Sequence, residues 1–120
     1  MGQMKTLCFD LDGVICSQTA GDYGNAAFDK DAISLINRLY AEGFRIVIHT
    51  SRFMGRNKGD ALAAQKEGHE FTARQLKEHD VKFHELILGK PRYDLLVDDR
   101  AVFFKRDWRR IEEEIRCLKG

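Results

Sequence analysis

Two aspartates spaced two residues apart, Asp10 and Asp12, stand directly behind the apolar run Thr6–Phe9 and ahead of Gly13. Residues 45–48 form a second apolar run leading into His49, Thr50, Ser51 and Arg52, and residues 83–88 a third leading into Gly89, Lys90 and Pro91. Residues 93–97 form a fourth, followed by Asp98, Asp99 and Arg100. Carboxylates hold a hard cation such as Mg2+ through oxygen, while an ammonium and a hydroxyl bind phosphate oxygens; together they point to phosphoryl transfer. The cation also allows crowded carboxylates to remain ionised. In such a site Asp10 is the candidate nucleophile, attacking phosphorus in line to give an aspartyl phosphate. Asp12 protonates the leaving oxygen and then activates the water. Thr50 and Lys90 stabilise the transferring phosphoryl group, and Asp98 and Asp99 complete the metal side with Asp10, Asp99 being the preferred direct ligand.

Those residues meet only if the elements behind them form a parallel sheet, because ligands bind outside the carboxyl ends of its strands. The four apolar runs read as such strands. Between them, residues 31–41 place Ile33, Ile36, Leu39 and Tyr40 on one helical stripe ahead of Gly43, residues 71–79 read as a second helix, and residues 108–118 space Trp108, Ile111, Ile115 and Leu118 for a third. Residues 53–68 carry the weakest pattern and read as a mobile loop joined to a helical extension around 61–66. Its Arg56 and Lys58, with Ser51 and Arg52 before it, are candidate substrate-binding groups.

Each motif also has a plainer meaning. An Asp-x-Asp-Gly run occurs in ordinary turns, Thr50 and Ser51 could cap the next segment, Lys90 could be a solvated lysine, and Asp98 to Arg100 a surface ion cluster. Their shared position behind apolar runs, in one order along the chain, favours the chemical reading. For His49 the plain reading wins, a hydrogen-bonded support, since no partner histidine or cysteine has metal-ligand spacing.

Taken together, Phe9-Asp10-Leu11-Asp12-Gly13-Val14, Thr50, Lys90 in Gly-Lys-Pro and Asp98-Asp99 resemble the four motifs of the haloacid dehalogenase-like hydrolase superfamily. The resemblance implies a Rossmann-like α/β three-layer sandwich with a central parallel sheet. It further implies that the backbone carbonyl of Asp12 binds magnesium and that a squiggle-and-flap element lies within residues 14–28. Neither interval between the motifs has room for a cap domain, so the chain resembles the capless branch. Asp22 to Ala26 and Thr50 to Met54 are similar to small phosphatases of capsule and surface-polysaccharide biosynthesis. Without a cap, water is excluded by the flap, the substrate or a neighbouring subunit, which makes a homo-oligomer one expected solution.

The chain has 120 residues, 43% of them hydrophobic, which suits one domain spanning 1–120. Twenty basic residues offset nineteen acidic ones, leaving a net charge of +1 and no field that would draw in nucleic acid or an anionic membrane. Three cysteines, Cys8, Cys16 and Cys117, lack metal-ligand spacing and suggest a reducing compartment. No run of residues is apolar enough to span a bilayer and no signal-peptide core precedes Asp10, so a cytoplasmic location is expected.

The expected function is therefore a magnesium-dependent phosphomonoester hydrolase acting on a small sugar phosphate or related metabolite. An open capless site would also suit a macromolecular substrate, a nucleic-acid end or a phosphoprotein. A signalling receiver module uses similar groups, but carries its acidic pair near strand one and its phosphorylated aspartate after strand three, the reverse of the order here.

Overall fold

The computed structural model describes residues 5–118. Three strands, β1 (Thr6–Phe9), β2 (Arg45–Thr50) and β3 (Glu85–Leu88), alternate with helices α1 (Lys30–Ala41) and α2 (Ala61–Glu78), and α3 (Trp108–Arg116) follows. All pairing is parallel in the order β1-β2-β3, with Phe9 opposite Ile48 and Thr50 opposite Leu88. This is a small α/β architecture of Rossmann-like kind, as expected from strands alternating with helices.

Burial alternates along the strands. Leu7, Phe9, Ile46, Ile48, Leu86 and Leu88 line one face of the sheet and are buried, whereas Thr6, Cys8, Glu85 and Ile87 point the other way and are exposed. The buried face meets Leu35, Ile36 and Leu39 of α1, Leu76 of α2, and Ile111 and Ile115 of α3 in one core cluster. The described elements thus make two layers where three were expected. With strands added in one direction, right-handed crossovers set successive helices on the same face, and a third layer needs a strand beyond β1.

No such strand forms among the described residues. Residues 93–97, expected as a fourth strand, have no strand pairing, and residues 91–103 are all exposed. The chain leaving β3 lacks a donor at Pro91, and the Arg92 guanidinium lies against Gly55 of the 51–59 loop, where a Cβ would meet it. No backbone–backbone hydrogen bond involves residues 91–106 among the described residues.

Local chemistry sets the helix limits. Asp29 caps α1 by accepting from the amides of Asp31 (2.9 Å) and Ala32 (3.3 Å), and its other oxygen accepts from Trp108 Nε1 at 3.0 Å, tying α3 to the start of α1. Gly43, at φ +102°, ends that helix region. Asp60 caps α2, and the pieces expected around 61–66 and at 71–79 are one continuous helix. Gly68 sits inside it because a Cβ there would strike the ring of Phe53.

Candidate active site at the carboxyl edge of the sheet

Asp10 follows β1 and Lys90 follows β3, and both reach the carboxyl edge. Asp10 Oδ1 accepts from the Leu11 amide at 2.8 Å, while Oδ2 lies 3.3 Å from Lys90 Nζ. Partial burial opposes charge on Lys90. The Tyr93 side chain and the Asp10 carboxylate outweigh it and hold the ammonium above the ordinary lysine value. The Lys90 amide donates to the Thr50 carbonyl at 3.2 Å, which joins the segments leaving β3 and β2. Asp10 keeps about a third of its side chain exposed, at 36%, so a substrate can reach it.

Thr50 is buried, and its hydroxyl oxygen accepts from the Arg52 amide at 3.1 Å. His49 is half-buried beside the same edge. Desolvation first, then the Lys90 charge, lower its pKa, and no hydrogen bond from its side chain is present among the described residues, so the expected hydrogen-bonded support does not form.

Residues 11–16 wind tightly beyond Asp10: the Leu11 carbonyl accepts from the amides of Val14, Ile15 and Cys16, and Gly13 adopts φ +89°. This turn aims Asp12 at Arg52. Arg52 Nε donates to Asp12 Oδ2 at 2.8 Å and Nη2 to Oδ1 at 2.9 Å, a bidentate pair. Arg52, expected as an exposed substrate-binding group, is only 1% exposed. The strand alternation Ile46, Ile48, Thr50 carried one step further points position 52 inward, a signal present in the sequence. Its other partners are Gln75 Oε1 at 2.6 Å, Cys16 Sγ at 3.7 Å and the Tyr23 ring, whose centroid lies 4.6 Å from the guanidinium carbon. Gln75 and Tyr23 were not among the expected site residues. Gln75 lies on the buried stripe of α2 with Gly68, Thr72 and Leu76, where a polar residue signals an internal partner.

The remaining candidates separate. Arg56 lies 4.7 Å from the Phe53 ring centroid, pairs with Glu67 at 3.1 Å, and lines an open cleft of about 450 Å³ with Tyr23, Phe53 and Phe71. Ser51 is half-buried, and Lys58 is exposed at the tip of the loop with φ +54°. Asp98 and Asp99 lie in the exposed 91–103 segment, where the Asp98 carboxylate accepts from the Arg100 amide at 2.7 Å. No group of three His, Cys, Asp or Glu side chains that could hold a metal forms among the described residues.

No protein-family model matches the chain, and no curated protein matches it. A crystal structure of a target protein from Vibrio cholerae superposes with a TM-score of 0.75 at 33% identity, over 82% of this chain and 83% of its own. The chain belongs to the family of that Vibrio cholerae protein. Likeness to the Vibrio cholerae protein establishes the fold; the chemistry rests on the residues of this chain. No helix of the described residues is long and apolar enough to cross a membrane.

Proposed function

We propose that the chain is a phosphomonoester hydrolase of the haloacid dehalogenase-like kind, acting on a small sugar phosphate or related metabolite. The meeting of Asp10 and Lys90 across the carboxyl edge of a parallel sheet, from opposite ends of the sequence, carries this reading. Asp10 attacks phosphorus, and the bond from phosphorus to the ester oxygen breaks as that oxygen takes a proton from Asp12. Water then attacks the aspartyl phosphate, gives its proton to Asp12, and releases phosphate and free Asp10. Lys90 offsets the charge gathered on the phosphoryl oxygens. Thr50 is positioned by the turn after β2 and supplies a hydroxyl on the same edge.

Magnesium is the cation implied by the motif resemblance. It takes about six oxygen ligands in near-octahedral geometry. With Asp98 and Asp99 exposed on 91–103, and the Asp12 carbonyl oxygen accepting from Gln18 Nε2 at 3.2 Å, the described residues as arranged do not make such a set.

The open cleft of about 450 Å³ lined by Tyr23, Phe53, Arg56 and Phe71 shares no lining residue with Asp10, Asp12, Thr50 or Lys90, so the choice of a small substrate rests on the motif resemblance and not on this cleft.

The deciding experiment is a phosphate-release screen of sugar phosphates, phosphorylated peptides and phosphorylated oligonucleotides, with and without magnesium, beside Asp10→Asn. Release from a sugar phosphate by the parent and none by Asp10→Asn is expected. Equal release by both removes Asp10 as nucleophile and, with it, the proposed reaction.

A further inference from the structure

Arg52 is the largest fully buried side chain in the described chain, and all its hydrogen bonds are directed inward. A guanidinium has five N–H donors, and four of its bonds here run to Asp12, Cys16 and Gln75. Little is left for a substrate phosphate, and no solvent reaches it. A buried ion pair is a poor means of stabilising a fold, since well-packed apolar residues of similar volume often do as well or better. The arrangement therefore calls for another purpose.

The two oxygens of Asp12 are not equivalent. Oδ1 receives Arg52 Nη2 at 2.9 Å and lies 3.4 Å from the Cys16 thiol, whose one proton it shares with the Leu11 carbonyl at 3.8 Å, so it is the more crowded oxygen. Oδ2 receives only Arg52 Nε, at 2.8 Å, and keeps one acceptor direction open. The guanidinium is itself clamped: Gln75 holds Nη1, Gln75 Nε2 donates to the Tyr23 carbonyl at 2.7 Å, and the Tyr23 ring covers the cation. Helix α2 and the 13–28 loop thus fix the guanidinium plane, and the bidentate pair passes that plane to the carboxylate.

We propose that Arg52 is the positioning residue for Asp12, and that it leaves Oδ2 as the oxygen that gives and takes the proton. This deepens the phosphatase reading and rests on it. In the first step the proton leaves Oδ2 for the ester oxygen as the P–O bond breaks; in the second Oδ2 recovers a proton from the attacking water. Arg52 loses no proton in either step.

Protonation of the leaving group matters for an alkyl alcohol and little for a nitrophenol, which departs readily as an anion. The full chain with Arg52→Lys is therefore compared with the parent on an alkyl monoester and on p-nitrophenyl phosphate, reading kcat/KM, which covers the first step. A loss of about 100-fold on the alkyl ester, within the range of general-acid catalysis, and under about 10-fold on the nitrophenyl ester is expected. Thermal melting checks that the variant folds; where it does not, Gln75→Met loosens the clamp without touching Asp12, and the alkyl ester should again lose several-fold more. Equal losses on both esters overturn the proposal and make Arg52 a structural residue only. Asp10→Asn run alongside separates the two ideas. If it is inactive while Arg52→Lys is blind to the leaving group, the phosphatase reading stands and this inference falls; if it stays active, the phosphatase reading falls first.

Discussion

Residues 5–88 and residues 91–103 use similar apolar side chains to opposite effect. In the first region Ile46, Ile48, Leu86 and Leu88 are buried and every strand has a partner; in the second Leu95 and Val97 stand 77% and 90% exposed. The difference lies in the backbone. An apolar run becomes a strand when its amides and carbonyls find a neighbouring edge, and the burial of alternate side chains follows from that pairing. β2 has β1 and β3 on either side, whereas 93–97 has neither pairing nor cover. The same contrast divides the site: Asp10, Asp12, Thr50 and Lys90 sit on the paired edge with named partners, and Asp98 and Asp99 sit on the unpaired segment.

Four variants sharpen or break this contrast. The largest effect is expected from Arg52→Leu, which leaves the Asp12 carboxylate, 13% exposed, without its partner and should cost about 3 kcal/mol in a denaturant titration, the low end for a broken buried pair; a loss under about 1 kcal/mol would mean that the pair is solvated. Gly68→Ala drives a methyl into the Phe53 ring and should cost about 1–3 kcal/mol by overpacking. An unchanged midpoint would show that Phe53 moves aside freely.

A smaller effect belongs to His49, whose pKa is lowered in the folded chain by burial and by Lys90. The unfolded chain then binds more protons between the lowered value and the ordinary value of about 6.5. Stability should therefore rise with pH through that window and fall as pH drops through it. Replacing His49 with asparagine should flatten the slope, as followed by melting between pH 5 and 8. The smallest effect is expected where nothing is buried: Leu95→Ser with Val97→Ser should shift stability by less than about 0.5 kcal/mol per site. A cost several times larger would show that the segment hides those side chains in solution and that the contrast is false.

Much of the paired region was legible because strand and helix periods are short-range properties. The ends of β1, β2 and β3 follow from apolar runs that stop at polar residues, and the stripe expected on α1 is confirmed at Ile36 and Leu39, with Ala32 and Leu35 buried beside them. The partnership of Asp10 with Lys90 follows from topology, since parallel strands deliver their carboxyl ends to one edge. The fourth strand failed for the complementary reason. Residues 93–97 have the composition of a strand, but pairing depends on an edge that local sequence does not describe.

Arg52 illustrates the same limit from the other side. A charged residue after a strand reads as a solvated substrate contact, the ordinary place for its type. Its burial depends on an acidic partner forty positions earlier, a glutamine on α2 and a tyrosine ring from the 13–28 loop, all found together only after folding.

By itself, then, the order of residues determined which segments could be strands and helices and which polar groups would stand at strand ends, because those depend on periodicity and on near neighbours. The folded chain alone decided which of those groups touch. It joined Lys90 to Asp10, enclosed Arg52 around Asp12 and kept Asp98 and Asp99 on an exposed, unpaired segment, since burial and ion pairing depend on distances through space between residues far apart in the chain.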